Sequence, residues 1–133
     1  MTAGLRALAA AMAMMMAASA VLAAAPPARL PKGLEAGEWE LRERGADGAV
    51  RKLCVSNLSQ LLQSRHAGHS CKSFTVSDAA NRLVVAYECG AAGNGRSDLR
   101  IETARLVQLR SQGIADGAPF DFALEGRWLG ACR

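Results

Sequence analysis

Hydrophobic and polar residues alternate along much of the chain after residue 35, a two-residue period typical of β-strands with one buried face. In EWELRER (38–44), Trp39 and Leu41 share one side of the predicted strand and the charged residues take the other. The same alternation recurs in RSDLRIET (96–103) and in PFDFALEGRW (119–128). Turn-forming stretches such as GADG and DAAN separate these segments. The pattern therefore predicts six or seven short antiparallel strands.

One segment has helical spacing instead. In SNLSQLLQSRHAG, Leu58, Leu61 and Leu62 fall on one side of a helix at about residues 57–65. Helices shorter than ~12 residues are marginal alone in water, so this one is expected to pack on the sheet. The predicted fold is mainly β: an antiparallel meander that curls into a half-barrel or a small sandwich, with the short helix packed on it.

The N-terminus has the layout of a secretory signal peptide, since Arg6 precedes a long apolar run and then small residues. We expect cleavage after Ala23, with Ala25 as a second site, and an uncleaved membrane anchor is the alternative. The predicted location is therefore periplasmic or secreted, with no stable membrane insertion once the signal is removed.

Three parts follow from this reading of the chain. Residues 1–23 are the signal peptide, and residues 24–34 are a Pro-rich lead predicted to be flexible. A single β domain then occupies residues 35–133.

Four cysteines follow the predicted signal peptide, and an even number in a small exported chain indicates two disulfides. If Cys71 faces Cys89 across a hairpin, Lys72 faces Glu88, Phe74 faces Ala86 and Val76 faces Val84. This register collects one apolar face and closes it with an opposite-charge pair, so we predict a Cys71–Cys89 bridge. By exclusion, Cys54 pairs with Cys132.

The sequence contains few candidates for catalytic or metal chemistry. His66 and His69 are three residues apart and are the candidate metal ligands, although the nearby Cys71 is committed to a disulfide and no carboxylate is close in sequence. No nucleophile, base and orienting group form a recognisable constellation. We therefore expect no catalytic residues, no metal, no cofactor and a protein that is not an enzyme.

Aromatic residues are the other candidates for a site. Trp39, Phe120, Phe122 and Trp128 either form the core of the β domain or line a pocket for a small apolar molecule. The net charge of +4 comes from basic residues scattered along the chain rather than from a basic stripe, and this argues against nucleic-acid binding.

Several short motifs together carry a family resemblance: GEWELR, a cysteine closing the second strand, the hairpin from Cys71 to Cys89, and the terminal GRWLGAC. The chain resembles domain-of-unknown-function family 3617, a family of secreted proteobacterial proteins, and its C-terminal segment looks like the sphingomonad-type branch. The resemblance covers residues 35–133 and implies a periplasmic, mostly β protein. It implies no activity and no catalytic residue.

The function that these observations favour is a non-catalytic, exported binding module for a small molecule or an envelope component. One alternative is a protein inhibitor or modulator of an envelope enzyme, in which the segment GIADGAPF (113–120) would insert into the partner. A second alternative is a periplasmic metal-binding protein that uses His66 and His69. The sequence predicts no particular oligomeric state.

Overall fold

The computed structural model describes residues 25–26, 28–45 and 47–133. The predicted signal peptide and the expected cut after Ala23 lie outside the described residues. Within those ranges, no helix is both long enough and apolar enough to cross a membrane.

Seven strands of the described chain form one antiparallel sheet in the spatial order β2-β1-β7-β6-β5-β4-β3. Strands β3 to β7 form a meander, whereas the β1–β2 hairpin joins the sheet through pairing of β1 with β7. The sheet stays open, with β2 and β3 at its edges, so the predicted mainly β, antiparallel fold is confirmed as a single open sheet. The strands are β1 (Gly37–Glu43), β2 (Val50–Val55), β3 (Lys72–Ala79), β4 (Arg82–Glu88), β5 (Gly93–Thr103), β6 (Leu106–Ala115) and β7 (Ala118–Gly130).

The chain between β2 and β3 must cross the whole sheet, because these consecutive strands lie at opposite edges. This crossing segment (56–71) contains helix α1 (Ser59–Leu62) and a 3-10 turn (Ser64–His66). The helix is shorter than the predicted 57–65 because Gln63 leaves helical geometry, with φ −110° and ψ 30°. The backbone N–H of Gln63 still donates to the Ser59 carbonyl. Its side-chain Nε2 donates a 2.7 Å hydrogen bond to the Ser73 hydroxyl of β3, which fastens the crossing segment to the edge strand.

The crossing segment covers one face of the sheet, which we call the covered face, and builds the core there. Leu58, Leu61 and Leu62 of this segment are buried against strand residues whose side chains are at most 1% exposed. Strand residues of the covered face in this core are Trp39, Leu41, Val55, Leu99, Val107, Leu109 and Leu124. Sealing these side chains from water is the main source of stability for a domain of this size.

Residues 28–34, which the sequence placed in a flexible lead, pack onto the same core. Leu30 is 7% exposed and Leu34 is fully buried. Arg29 forms a β-bridge with Glu35, and the Leu34 carbonyl accepts a hydrogen bond from the Leu30 amide. The packed domain therefore begins before residue 35.

The β3–β4 hairpin follows the predicted register from Lys72–Glu88 to Thr75–Val85. A β-bulge between Thr75 and Ser77 then shifts the pairing, so Ser77 rather than Val76 is opposite Val84. The predicted Val76–Val84 pair is therefore wrong, because a bulge adds one residue to one strand and changes every later partner.

The bulge is accompanied by a second departure from the sequence interpretation. The hairpin face that carries Val85 and Tyr87 packs on the core. The predicted register had gathered Phe74, Val76, Val84 and Ala86 on the other hairpin face, and that face points away from the core. Phe74 is 55% exposed and Val76 is 49% exposed.

The cysteine sulfurs lie together as the pairs expected from the sequence. Cys71 and Cys89 have an S–S distance of 2.03 Å, and Cys54 and Cys132 have one of 1.98 Å. Cys89 is buried at the end of β4 on the covered side, whereas Cys54 is exposed on β2. One bridge therefore closes the covered side, and the other ties the chain end to the far edge strand.

Candidate functional site

The second face of the sheet is polar, and no other part of the described chain packs across it; we call it the open face. Strand register aligns its side chains in rows that run across neighbouring strands. One row is Val84, Asp98, Arg110 and Ala123, from β4 to β7. The next row is Arg82, Arg100, Gln108 and Glu125. Because cross-strand neighbours lie ~5 Å apart, charges distant in sequence meet here.

Most residues of these two rows line a shallow concavity of about 540 Å³, within the range of small-molecule sites, whereas Val84 and Glu125 lie outside its lining. Four arginines but only one carboxylate line it. Arg82 is paired with Asp98, and Arg100 is paired at 2.9 Å with Glu102, which lies outside the lining. Arg44 and Arg110 are in no ion pair among the described residues, so the unpaired charge of the lining is positive. Its lining residues on the open face are Arg44, Arg82, Asp98, Arg100, Gln108, Arg110 and Ala123. Leu109 and Leu124 also border it, although their side chains belong to the core of the covered face.

Asp98, the one acid of this arginine concavity, is bound by Arg82 in a two-pronged contact. Arg82 Nε lies 2.9 Å from Oδ1 and Nη2 lies 2.5 Å from Oδ2. Hydrogen bonding to Arg82 lowers the pKa of Asp98 below its usual range, although partial burial opposes the change. The same contact raises the pKa of Arg82. At neutral pH this pair is therefore fully charged.

Gln108 holds the other side of the arginine concavity in place. Its amide oxygen accepts a hydrogen bond from Arg44, and its amide nitrogen donates to Glu125 Oε2 at 3.0 Å. Hydrogen bonds from Gln108 and then from Arg127 lower the pKa of Glu125, which lies at the rim. The Gln108 amide thus orients a guanidinium without neutralising it.

Arg110 is the central cation of the concavity. It lies beside Asp98 in the cross-strand register, but Asp98 is bound by Arg82. No carboxylate of the described residues lies within salt-bridge distance of Arg110. Its side chain is exposed, so its donors are accessible to a ligand.

The four aromatic candidates lie on the covered face and do not line the arginine concavity. Trp39 is fully buried, and its Nε1 donates to the Glu35 carbonyl at 2.9 Å. Trp128 donates to the Ala36 carbonyl at 3.1 Å. Phe120 and Phe122 stack with centroids 5.9 Å apart. Of the two interpretations of these side chains, their burial favours the core.

His66 is a buried structural residue in this fold. Its Nε2 lies 3.1 Å from the Ala92 carbonyl and 3.0 Å from the Ile114 carbonyl, so Nε2 carries the proton and donates to both. Its Nδ1 then accepts from the Tyr87 hydroxyl at 3.1 Å. Both ring nitrogens are occupied, so a metal would have to displace these bonds. Among the residues described, no group of three or more His, Cys, Asp or Glu side chains could hold a metal ion, and this includes the surroundings of His69.

Tyr87, the partner of His66, lies over the backbone of Gly95. A Cβ added to Gly95 would lie 2.4 Å from the Tyr87 ring, so only glycine leaves room for the ring at this position. Burial raises the pKa of Tyr87, while the Ser111 hydroxyl and the charge of Arg65 oppose this change. Tyr87 is therefore neutral at physiological pH, and its hydroxyl donates a hydrogen bond to His66 Nδ1.

The segment GIADGAPF, proposed as an insertion loop, is mostly strand. Strand β6 continues to Ala115 and β7 begins at Ala118, which leaves a two-residue turn of Asp116 and Gly117. Both have positive φ, 52° and 78°, as the tight hairpin turn requires. Phe120 is 8% exposed and belongs to the core.

The arginines of the concavity were not identified from the sequence. Each lies on the polar side of a strand or next to a turn, where a charged residue needs no special explanation. The usable signal was the alternation in RSDLRIET and its neighbours, which places the charges of successive strands on one face. Locating the site additionally required the register and the pairing of β1 with β7.

Part of the chain is similar in sequence to curated proteins. It is 31% identical over 94 residues to a diaminopimelate epimerase of Mycolicibacterium gilvum (strain PYR-GCK), covering 68% of this chain and 32% of that protein. It is 30% identical over 97 residues to a diaminopimelate epimerase of Mycobacterium sp. (strain KMS), covering 71% of this chain and 33% of that protein. The chain thus spans about a third of the length of these relatives. No protein-family model matches the chain, and no solved structure matches it.

This similarity contradicts the expectation that the protein is not an enzyme, because the relatives are enzymes. The expectation rested on the absence of a catalytic constellation in the linear sequence. That reasoning is weak for this fold, since cross-strand register brings together charged groups that no local motif records.

Proposed function

We propose that this protein is exported and binds a small molecule with one or more carboxylates in the arginine concavity of its open face. The observation that carries the proposal is that Arg44, Arg82, Arg100 and Arg110 line one concavity, in which Arg44 and Arg110 have no ion-pair partner among the described residues. Two disulfides are compatible with an oxidising compartment and support the export part of the proposal.

Guanidinium chemistry favours a carboxylate as the recognised group. A guanidinium presents donors in a planar fork that matches the two oxygens of a carboxylate, as Arg82 and Asp98 already illustrate within the site. Arg110 keeps its donors accessible, and Arg44 is held by a neutral amide. An incoming carboxylate can therefore bind without breaking an existing ion pair.

The relatives suggest a first probe. Their name specifies diaminopimelate, a molecule with two carboxylates and two amines. Pimelate lacks the amines, and 1,5-diaminopentane lacks the carboxylates. We expect isothermal titration of the purified protein to detect diaminopimelate and pimelate but not the diamine. Binding of the diamine alone would contradict recognition through arginine.

Matched variants locate the site. Arg110→Gln should weaken pimelate binding about tenfold, the effect of losing one charge-assisted hydrogen bond. Asp98→Asn should strengthen binding, because it removes the one negative charge of the lining and frees Arg82. Arg127→Gln is the control, since Arg127 is on the same face but bonds Glu125 outside the concavity. Equal losses of pimelate affinity in Arg110→Gln and Arg127→Gln would show that only the net charge of the protein matters, and would refute this site.

The similarity to epimerases favours a second candidate function, epimerisation of a carboxylate-bearing substrate. Inversion at an α-carbon through proton removal and return incorporates solvent deuterium at that carbon. Proton NMR of diaminopimelate in D₂O with the protein would therefore show loss of the α-proton signal. A rate no greater than that of the protein-free sample would exclude this activity on diaminopimelate.

A further inference from the structure

A small apolar patch lies on the open face next to the arginine concavity. It consists of Phe74 and Val76 on β3 and of Val84 and Ala86 on β4. Phe74 and Val76 are about half exposed, whereas Val84 is only 2% exposed and forms the base of the patch. Large exposed apolar side chains grouped on an otherwise polar surface mark a contact site more often than chance.

Strand register places this apolar patch directly beside the cations. Phe74 pairs with Ala86, which pairs with Arg96 on β5. Val84 pairs with Asp98, which pairs with Arg110 on β6. Adjacent strands are ~4.8 Å apart, so Val84 and Arg110 are separated by ~10 Å across the face. A single small molecule can therefore touch the apolar patch and the arginine concavity at once.

We propose that the ligand of the arginine concavity is an anionic amphiphile, a single-chain carboxylate whose apolar chain lies over Phe74 and Val76. This inference rests on the proposed function, because the concavity supplies the site for the carboxylate. The apolar patch supplies the contact for the chain, and Val84 beneath it keeps that contact dry.

Two other occupants fit the face less well. A membrane surface would meet Asp98, Asp121 and Glu125 interspersed among the arginines, and these carboxylates repel anionic headgroups. A second copy paired along edge strand β3 would meet the bulge at Val76, a device that protects sheet edges from such pairing. A monomeric amphiphile needs neither a uniformly cationic face nor a regular strand edge.

The test compares octanoate with acetate, which share the carboxylate and differ in the chain. We expect isothermal titration to give octanoate at least about tenfold tighter binding than acetate, because each buried methylene adds to affinity. The double variant Phe74→Thr/Val76→Thr retains residues that favour strands and should remove about tenfold of the octanoate affinity. Its pimelate affinity should be unchanged. Val50→Thr is the matched control, since Val50 is equally exposed at the opposite edge strand, at 47%.

The outcomes separate this inference from the proposed function. If octanoate binds no tighter than acetate while Arg110→Gln still weakens pimelate, the amphiphile is refuted and the arginine site stands. If Arg110→Gln affects neither octanoate nor pimelate, both proposals fall. If octanoate does not bind but the protein sediments with phosphatidylglycerol vesicles, the open face contacts a membrane instead, and the amphiphile proposal is refuted. A dimer in light scattering that the double variant converts to monomer would assign it to a second copy.

Discussion

The two faces of this sheet are built from the same strands yet have opposite roles. On the covered face, Trp39, Leu99 and Leu124 are at most 1% exposed, and the crossing segment seals them. On the open face, the neighbouring positions Asp98, Arg100 and Ala123 line a concavity that no other part of the described chain fills. A single two-residue period thus encodes a buried core face and a polar, charge-lined face, one residue apart. If the open face binds a ligand as proposed, we expect substitutions there to change binding and substitutions on the covered face to change stability.

The largest expected effect comes from removing a covered-face side chain. Trp39→Ala should lower the free energy of unfolding by about 3 to 5 kcal/mol, because it leaves a cavity in a fully buried cluster. Leu129→Ala, at a 47% exposed position of the adjacent strand, should change it by less than about 0.5 kcal/mol. Urea unfolding followed by tryptophan fluorescence or circular dichroism measures both. Similar losses would contradict the division into two faces.

The disulfides give the next effect, since each one fixes a segment at a different edge of the sheet. Replacing Cys54 and Cys132 by serine removes a link between residues 78 positions apart, compared with 18 for Cys71 and Cys89. Loop entropy predicts losses of about 4 and about 3 kcal/mol, respectively, in the free energy of unfolding. Non-reducing peptide mapping of the native protein should first recover a fragment that links Cys71 to Cys89. A different partner for Cys71 would refute the hairpin pairing.

A smaller effect is expected within the buried polar group of the covered face. Tyr87→Phe removes the donor to His66 Nδ1 and should cost about 1 to 3 kcal/mol of unfolding free energy. Burial raises the pKa of Tyr87, so its contribution is present below the ordinary tyrosine pKa, about 10, and is lost as pH rises through the higher folded value. Urea midpoints measured between pH 8 and pH 11 should therefore fall more steeply for the native protein than for Tyr87→Phe. Parallel curves would contradict this assignment.

The smallest expected effect belongs to the open face. Because Arg82 lowers the pKa of Asp98, this carboxylate contributes stability that is present above its unfolded value and is lost as pH falls through the folded one. Asp98→Asn should remove the loss of stability that this carboxylate causes at acidic pH. The urea midpoint at pH 7 should change little, since exposed ion pairs contribute weakly to stability. Its effect on pimelate affinity should be larger than its effect on stability. The reverse order would indicate that Asp98 is structural.

Local sequence patterns predicted much of the covered face and little of the open one. Alternation placed Trp39 on the buried face of its strand, as the structure shows. The predicted register of the Cys71–Cys89 hairpin was correct up to Thr75. It failed at Val76, because a bulge depends on how the edge strand twists against its neighbour and not on local residue types. Helix α1 ends at Leu62, where Gln63 leaves helical φ and ψ and its side chain bonds to Ser73 of β3, a contact that helical spacing does not predict.

The sequence by itself determined which residues can alternate in a sheet and that Cys71 can face Cys89 across a hairpin, because these follow from local geometry and spacing. It placed a loop in GIADGAPF, where the structure has only a two-residue turn. Only the tertiary structure decided which of the two faces is covered, since that depends on the route of the segment between β2 and β3. The same route left Phe74 exposed. The cross-strand register and the pairing of β1 with β7 brought Arg44, Arg82, Arg100 and Arg110 to one concavity. A strand presents two chemically ordered faces, and contacts between segments far apart in the chain decide which face the core uses.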